Sequence, residues 1–224
     1  MKSIIIFGAS GMIGQGVLRE SLLDSQIEKV IIVVRNPLGQ SHPKLHEIVQ
    51  KDLFDYKNIE DQLVHIDACY FCLGTPSAGK TEAEYARITK ELTLIAAQTL
   101  LRLNPQLTFI YVSGEGADSS ETSPMMWARV RGQTENELLK MPFKQVFIFR
   151  PGIIQPLDGI QSRTRLYRLG YSMLKPLLPI LRYFLPGFIS STQLLGQAML
   201  KITRNGYNKS ILKTKDFYLL SLSE

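Results

Sequence analysis

The stretch Gly8-Ala9-Ser10-Gly11-Met12-Ile13-Gly14 decides the fold of this 224-residue chain. It directly follows an apolar run, Ile4 to Phe7, and directly precedes a helical pattern that reaches Leu23. A strand, a tight glycine turn and a helix together hold a dinucleotide pyrophosphate, because glycines let the backbone approach the phosphates and the first helical N–H groups face the anion. The stretch therefore predicts a nucleotide-binding Rossmann unit rather than an ordinary strand–turn–helix.

Apolar, β-branched runs alternate with helical patterns along the first two thirds of the chain. After the first strand, strands are predicted at Val30 to Val34, Ile48 to Lys51, Ala68 to Leu73, Leu107 to Val112 and Val146 to Phe149. Helices are predicted at Ile13 to Leu23, Ile59 to Leu63, Thr81 to Leu103 and Pro124 to Lys140. Such alternation is typical of an α/β fold with a doubly wound parallel Rossmann sheet.

The character of the chain changes after Arg150-Pro151-Gly152. The segment Leu166 to Ile189 is rich in Leu, Tyr, Phe and Pro, and its basic residues leave no apolar run near the ~20 residues of a membrane span. Two interpretations stay open: a small helical cap over a substrate pocket, or a basic amphipathic surface that contacts a membrane or a partner. We expect a Rossmann domain over residues 1–157. Residues 158–224 should add the cap and a packing helix, Ser191 to Thr203, to the same compact unit.

Charge and cysteine content exclude some classes of function. The net charge is +6 and the pI is near 9.3, but no dense Lys/Arg block is present, so nucleic-acid binding is not expected. Cys69 and Cys72 fall in a predicted strand, which turns residues three apart to opposite faces, and no second Cys pair completes a metal site. We expect buried structural cysteines and no metal. Because the N-terminus has the pattern of a first strand rather than a signal peptide, we expect a cytoplasmic protein.

The end of the second strand, Val33-Val34-Arg35-Asn36, indicates the cofactor. NAD-preferring folds place an acidic residue there to bind the ribose 2′-hydroxyl, whereas an arginine pairs with a 2′-phosphate. Arg35 lies about 20 residues beyond Gly14, the distance expected of this position. The sequence therefore predicts NADP(H) rather than NAD, the alternative being that Arg35 is a solvated loop cation. Asp52-Leu53 and Leu73-Gly74-Thr75, at the ends of the third and fourth strands, should face the adenine and ribose parts.

Four motifs carry a resemblance to a known family: Gly8 to Gly14, Phe71-Cys72-Leu73-Gly74-Thr75, Val112-Ser113-Gly114 and Phe149-Arg150-Pro151-Gly152. Together they resemble the atypical short-chain dehydrogenase/reductase superfamily, in its branch of Tat-interacting oxidoreductase-like proteins, often labelled NAD-dependent epimerase/dehydratase-like. The resemblance covers residues 1–160 well and the remainder loosely. It implies the Rossmann fold and a bound dinucleotide, with Pro151 among its contacts, and says little about the substrate.

The same resemblance implies a Ser–Tyr–Lys site. In the superfamily, a Ser after the fifth strand polarises the carbonyl, while a YxxxK pair on the next helix supplies a proton-shuttling Tyr and a ribose-binding Lys. Ser113 matches the Ser, but Trp127 stands at the Tyr position and Arg131 at the Lys position. An indole N–H is far too weak an acid to deliver a proton near neutral pH. Arginine stays charged and still holds a ribose hydroxyl or phosphate, but it is a poor proton relay.

The candidate catalytic residues are therefore Ser113, Trp127 and Arg131, and each has a structural alternative. Trp127 is otherwise a packing residue, Arg131 forms an intrahelical ion pair with Glu135, and Ser113 makes a strand-end hydrogen bond. Other acids or bases are Tyr85, Glu115, Tyr167 and Tyr171.

Three functions stay open from the sequence. The first is an NADP(H)-dependent oxidoreductase with an altered proton donor. The second is a catalytically silent dinucleotide-binding sensor that regulates a partner, and the third is a membrane-peripheral enzyme that acts on a hydrophobic substrate. In each case the unassigned ligand is a hydrophobic small molecule or a protein partner.

Overall fold

A computed structural model of the chain describes residues 1–157, 159–160 and 187–222. Its strands are β1 (Lys2–Phe7), β2 (Ile27–Val34), β3 (Leu45–Val49), β4 (Ala68–Phe71), β5 (Thr108–Val112), β6 (Gln145–Arg150), β7 (Ile153–Gln155), β8 (Ile189–Ser191) and β9 (Ile211–Lys213). Seven of them form one parallel sheet in the order β3-β2-β1-β4-β5-β6-β9, and β7 pairs with β8 separately. The order reverses between β1 and β4, which opens a crevice at their carboxyl ends.

Helices cover both faces of the sheet. They are α1 (Met12–Leu23), α2 (Glu82–Ala86), α3 (Leu92–Leu103), α4 (Met126–Lys140), α5 (Thr192–Asn205) and α6 (Thr214–Leu222). A π-helical turn, Arg87–Glu91, joins α2 to α3 without a break, and a 3-10 turn spans Lys57–Gln62. A capping box starts α2, because Thr81 accepts the Glu84 N–H while the Glu84 carboxylate accepts the Thr81 N–H. None of the helices described is long and apolar enough to cross a membrane.

The predicted doubly wound parallel sheet is confirmed, and the differences lie where the sequence signal is weak. The third strand begins at Leu45 rather than at the predicted Ile48. The sequence does not show its first three residues as a strand, because it is an edge strand in which Ile48 alone is buried. The helix predicted from Ile59 to Leu63 is the 3-10 turn. Strands β7, β8 and β9 were not predicted, because a three-residue strand shows no alternation, and helix α6 was not predicted either. Most of the predicted cap, including Tyr167 and Tyr171, lies outside the described residues.

The core has two layers, one on each face of the sheet. Alternation along β1 sends Ile4 and Ile6 to one hydrophobic cluster, and Ile5 and Phe7 to the other. Cys69 belongs to the second cluster while Cys72 packs against the first, and both are free thiols. The prediction that the two cysteines face opposite sides is therefore confirmed.

Close contact between α1 and α5 fixes the direction of α1. A Cβ on Gly16 would lie 2.5 Å from Cβ of Thr192, and a Cβ on Gly196 would lie 2.8 Å from Cγ of Glu20. The buried Glu20 carboxylate accepts a 3.1 Å hydrogen bond from Nε2 of Gln197. Small residues on both helices thus let the backbones approach, and α5 presses α1 against the sheet.

Gly16→Ala tests this contact. The added methyl meets the first turn of α5, so we expect overpacking to exceed the helix-propensity gain of alanine and to lower the free energy of unfolding by about 1–2 kcal/mol. Denaturant unfolding measures it, with Leu23→Ala at the exposed end of α1 as the control. Unfolding of Gly16→Ala at or above the wild-type midpoint would show that the helices are free to separate.

Candidate functional site

A cleft of about 780 Å³ runs along the carboxyl ends of the strands, from β2 to β6. The predicted site residues that line it are Gly8, Ser10, Gly11, Met12, Ile13, Arg35, Leu53, Leu73, Gly74, Thr75, Ser113, Trp127, Arg131 and Pro151. Two predicted residues, Gly14 and Asp52, are not part of its lining. Tyr85, Glu115, Gly152 and Phe188 complete the wall on the β5–β6 side. Residues from separate parts of the sequence thus meet at one edge of the sheet.

The three glycines of the first turn have different tasks. Gly8 has φ +78, and a Cβ there would lie 2.7 Å from the backbone of Leu73. A Cβ on Gly14 would lie 2.1 Å from the carbonyl oxygen of Gly8. Gly11 instead has an ordinary extended backbone, and among the described residues a Cβ there would meet the Gly8 oxygen alone, at 3.3 Å. Gly8 and Gly14 are therefore required by the fold, whereas the space beside Gly11 belongs to the cleft.

The N-terminus of α1 opens into the same space. None of the described side chains caps this helix, and Met12 and Ile13 in its first turn line the cleft. The first N–H groups of a helix have no intrahelical partner and carry its positive dipole end. Nε2 of Gln15 donates to the carbonyl oxygen of Ser10 at 3.0 Å, which holds the turn in place. This end of the cleft suits an anion.

Arg35 stands alone at the β2 end of the cleft. It is exposed, and its guanidinium makes no hydrogen bond or ion pair with any residue within the described ranges. Asp52, predicted nearby, instead accepts the backbone N–H of Phe54 at 2.9 Å and stabilises a turn. Leu53 next to it does line the cleft. The β2 end therefore offers a cation and an apolar surface, and the Asp52 carboxylate points elsewhere.

Ser113 belongs to a buried polar network behind β5. Its Oγ donates to the carboxylate of Glu135, which is fully buried on α4. Arg150 on β6 binds the same carboxylate through Nε, 3.1 Å from each oxygen, and through Nη2. The hydroxyl proton of Ser113 is thus committed to Glu135, and Ser113 presents lone pairs to the cleft. This network was not predicted: Glu135 was considered only as an alternative partner of Arg131.

Trp127 lies against the loop that follows β5. A Cβ on Gly116 would come within 3.0 Å of Cη2 of Trp127, so the benzene edge of the indole packs on this glycine, whose φ is +88. One edge of the Trp127 indole is therefore a packing surface, as the structural alternative for this residue predicted. The side chain also lines the cleft, and it is the single tryptophan of the chain.

Arg131 pairs with Tyr85 rather than with Glu135. Nε of Arg131 donates to the Tyr85 hydroxyl at 3.0 Å, and Nη1 lies 3.5 Å from the Val112 carbonyl oxygen. Burial lowers the pKa of the guanidinium, but the neighbouring Tyr111, Tyr85 and Glu135 together outweigh burial and raise it overall, so Arg131 keeps its charge. The intrahelical ion pair considered from the sequence is wrong, because Arg150 occupies the Glu135 carboxylate.

Burial or an ion pair restricts two further groups in the cleft, the Cys72 thiol and the Glu115 carboxylate. Burial raises the pKa of the Cys72 thiol to about 12, so this cysteine stays protonated and is a poor nucleophile. The Glu115 carboxylate forms a 2.8 Å ion pair with Nζ of Lys213, and its backbone N–H donates to the Pro151 carbonyl oxygen at 2.9 Å.

The loop before α4 is organised by one carboxylate. Asp118 accepts hydrogen bonds from the Ser120 hydroxyl at 2.6 Å and from the backbone N–H groups of Ser120, Thr122 and Ser123. The bond from the Ser120 hydroxyl, followed by that from the Ser123 backbone, lowers the pKa of Asp118 to about 2. Because this loop leads into α4, Asp118 fixes the position of Trp127 near the start of that helix.

We expect acid to loosen this loop. The folded-state pKa of Asp118 lies below its ordinary value of 3.8, so the stabilisation is complete above that value and is lost as the pH falls through about 2. Asp118→Asn should mimic this loss at neutral pH, because an amide has one acceptor oxygen. The emission of Trp127 measures both changes, with the exposed Asp61→Asn as the control. Identical neutral-pH emission in Asp118→Asn and the wild type would contradict the role of this carboxylate.

Comparison with known proteins identifies the family. The sequence model of the NAD dependent epimerase/dehydratase family matches residues 4–125, more than half of the chain. The chain belongs to this family, as the motifs predicted.

The relatives include the predicted branch. The chain is 28% identical over 226 residues to Leucinostatins biosynthesis cluster protein T of Purpureocillium lilacinum, covering 87% of this chain and 82% of that protein. It is 26% identical over 156 residues to Protein HTATIP2 of Rattus norvegicus, covering 68% of this chain and 63% of that protein. Protein FMP52, mitochondrial, of Saccharomyces cerevisiae is 26% identical over 164 residues, with 72% and 68% covered.

Solved structures share the fold at low identity. A UDP-glucose 4-epimerase from Thermotoga maritima, with UDP-glucose, has a TM-score of 0.65 and 15% identity, covering 98% of this chain and 81% of that one. The Bordetella bronchiseptica enzyme WbmH in complex with NAD+ has a TM-score of 0.66 and 14% identity, covering 97% and 79%.

Proposed function

We propose that this member of the NAD dependent epimerase/dehydratase family is an NADP(H)-dependent oxidoreductase with an altered proton donor. The observation that carries the proposal is the continuous cleft that joins Arg35, the glycine turn and Ser113 along one edge of the sheet. A dinucleotide has the same order of parts: an adenosine end, a central pyrophosphate and a nicotinamide end. The family membership and the WbmH fold likeness, a protein solved with NAD+, support it.

The residues present fit a dinucleotide. The backbone conformation of Gly11 requires no glycine and its Cβ direction is nearly open, so an absent side chain there leaves room for a pyrophosphate at the backbone. The uncapped first turn of α1 supplies N–H donors to the same anion. Arg131, beside the ends of β4 and β5, is in reach of the ribose on the nicotinamide side. A Cβ on Gly74 would lie 4.0 Å from its Nη2, and one on Gly114 3.9 Å from its Nη1.

Preference for NADP(H) rests on Arg35. Its guanidinium is exposed at the end of β2 and unpaired within the part of the chain that the structure describes, so no existing contact has to break when a 2′-phosphate binds. The one acidic residue predicted near this end, Asp52, is occupied by the Phe54 N–H and does not line the cleft. An arginine without a competing carboxylate favours a phosphate over a hydroxyl.

The chemistry follows from what the side chains offer. When bound, the cofactor supplies or accepts a hydride. Arg131 binds and orients the ribose, Ser113 accepts a hydrogen bond through its lone pairs, and Trp127 shields one wall of the cleft from water. Phe188 is 45% exposed and lines the cleft on the β5–β6 side, which favours a hydrophobic carbonyl compound or alcohol as the substrate.

A catalytically silent sensor is the second candidate. Two observations favour it: Trp127 replaces the expected proton donor, and the Ser113 proton is bound by Glu135 rather than offered to a substrate. Such a sensor also binds NADPH more tightly than NADH, but it reduces no substrate. Turnover of aldehydes or ketones with NADPH separates the two candidates, because the oxidoreductase consumes NADPH and the sensor does not.

Arg35→Ala tests the choice of cofactor. We expect the wild type to bind NADPH more tightly than NADH. The variant should lose about 1.5–3 kcal/mol of NADPH binding, which is about a 10- to 150-fold rise in Kd, and should keep its NADH affinity. Isothermal titration calorimetry with both cofactors measures it. Arg102→Ala, which removes an exposed arginine on α3, controls for net charge. Unchanged discrimination in Arg35→Ala would remove Arg35 from the site.

Gly11→Val tests the position of the pyrophosphate. The added side chain projects toward the cleft, so we expect dinucleotide binding to be lost while the unfolding midpoint stays near that of the wild type. Gly14→Val is the contrasting variant, because its Cβ would collide with the Gly8 backbone and destabilise the fold itself. A well-folded Gly11→Val protein that still binds NADPH would mean that the glycine turn serves the fold alone.

A further inference from the structure

We propose that Tyr85 is the proton donor of this cleft and that Arg131 is its cationic partner. The inference rests on the proposed function and deepens it: the substrate class is an aldehyde or ketone whose oxygen reaches Tyr85. Trp127 stands where the expected helix tyrosine would be. A tyrosine from a different helix, Tyr85, then takes over its role, while position 131 keeps a cation.

The geometry of the pair carries the proposal. Tyr85 is 1% exposed, and it is the single tyrosine in the cleft lining contributed by the described residues. Its hydroxyl oxygen accepts Nε–H of Arg131 at 3.0 Å. Its own O–H donates to none of the described residues, so the proton is available to a cleft ligand. A charged donor on the phenol oxygen stabilises the negative charge that develops there when the proton leaves.

The helices that carry the pair are joined on both sides of it. Arg129 on α4 forms a 2.6 Å ion pair with Glu82 on α2, and Nζ of Lys90 donates to Oε1 of Gln133 at 3.3 Å. The Tyr85–Arg131 bond lies between these contacts. The π-helical turn begins two residues after Tyr85, and such turns occur frequently at functional sites. The pair is therefore held at a fixed place against the ends of β4 and β5.

Other described groups in the cleft are less suited to donate a proton. The Ser113 proton is bound by Glu135, and the indole of Trp127 is too weak an acid. The Cys72 thiol has its pKa raised by burial, and the Glu115 carboxylate is paired with Lys213. Tyr85 differs from these groups, because its O–H donates to none of the described residues while its oxygen accepts an N–H from a guanidinium.

The step balances with a reduced nicotinamide dinucleotide as the reductant. A C–H bond of the dihydronicotinamide would break and leave an oxidised nicotinamide, and the hydride released would carry two electrons into the new C–H bond at the carbonyl carbon. The π pair of the C=O bond moves to oxygen, the Tyr85 O–H bond breaks, and its proton forms the alcohol O–H. The phenolate left on Tyr85 stays beside the Arg131 guanidinium until a proton from solvent restores it.

The test uses Tyr85→Phe in the full chain. NADPH affinity is measured by the fluorescence of bound NADPH, and turnover is measured with benzaldehyde, a medium-chain aldehyde and acetophenone. We expect Tyr85→Phe to keep the wild-type affinity and to lose about 100- to 10,000-fold in turnover. Tyr70→Phe, which removes a buried hydroxyl bonded to Thr203 outside the cleft, is the matched control and should keep both.

Each result decides between proton donation and other roles. Tyr85→Phe turnover close to that of Tyr70→Phe overturns the inference and leaves the proposed function standing. Loss of NADPH affinity in step with turnover also overturns it, because Tyr85 then only positions Arg131. A wild type that binds NADPH but reduces no compound of the panel overturns the proposed function and the inference together.

A double variant tests whether Tyr85→Phe is slow because it has lost a proton donor. Tyr85→Phe combined with Trp127→Tyr returns a phenol to the helix face that Arg131 shares, one turn away. We expect turnover to rise above that of Tyr85→Phe alone. A folded double variant that binds NADPH and is as slow as Tyr85→Phe would show that the defect is not the loss of a proton donor, and would overturn the inference.

Discussion

The backbone of the glycine turn lies against the end of β4 and against itself at distances that no side chain can occupy. Cβ atoms on Gly8 and Gly14 would fall 2.7 Å from Leu73 and 2.1 Å from the Gly8 oxygen. This contact brings the start of α1 to the carboxyl edge of the sheet, where the order of strands reverses. The cleft exists because of it, and the anion-binding end of α1 faces the cleft for the same reason.

Helix α4 supplies the other wall through residues spaced four apart. Trp127, Arg131 and Glu135 share one face of the helix, yet each has a different partner: the Gly116 turn, the Tyr85 hydroxyl and the Arg150 guanidinium. The buried Glu135 carboxylate is neutralised by Arg150, and breaking such a pair leaves an uncompensated charge. This division leaves Arg131 without an ion pair within the described part of the chain, and its side chain lines the cleft.

The sequence predicts the parts of this site that depend on spacing along the chain. The glycine turn, the strand ends at Leu73 and Ser113, and the position of Arg131 all follow from local order, and all line one cleft. The partner of Arg131 does not follow. Glu135 is the carboxylate at helical spacing, but Arg150 on a distant strand binds it and Tyr85 on another helix takes Arg131. Spacing along the chain does not show that Arg150, from a distant strand, competes with Arg131 for the Glu135 carboxylate.

Energy transfer from Trp127 to bound NADPH tests the central claim most directly, that the dinucleotide lies along this cleft with its nicotinamide end toward β5. Trp127 is the sole tryptophan and lines that end, so excitation at the red edge of the tryptophan band, where tyrosine does not absorb, has one donor. We expect saturable quenching of tryptophan emission with matching sensitised NADPH emission, at the concentrations where calorimetry reports binding. NADPH binding that leaves the emission of Trp127 unchanged would place the dinucleotide elsewhere and contradict the account.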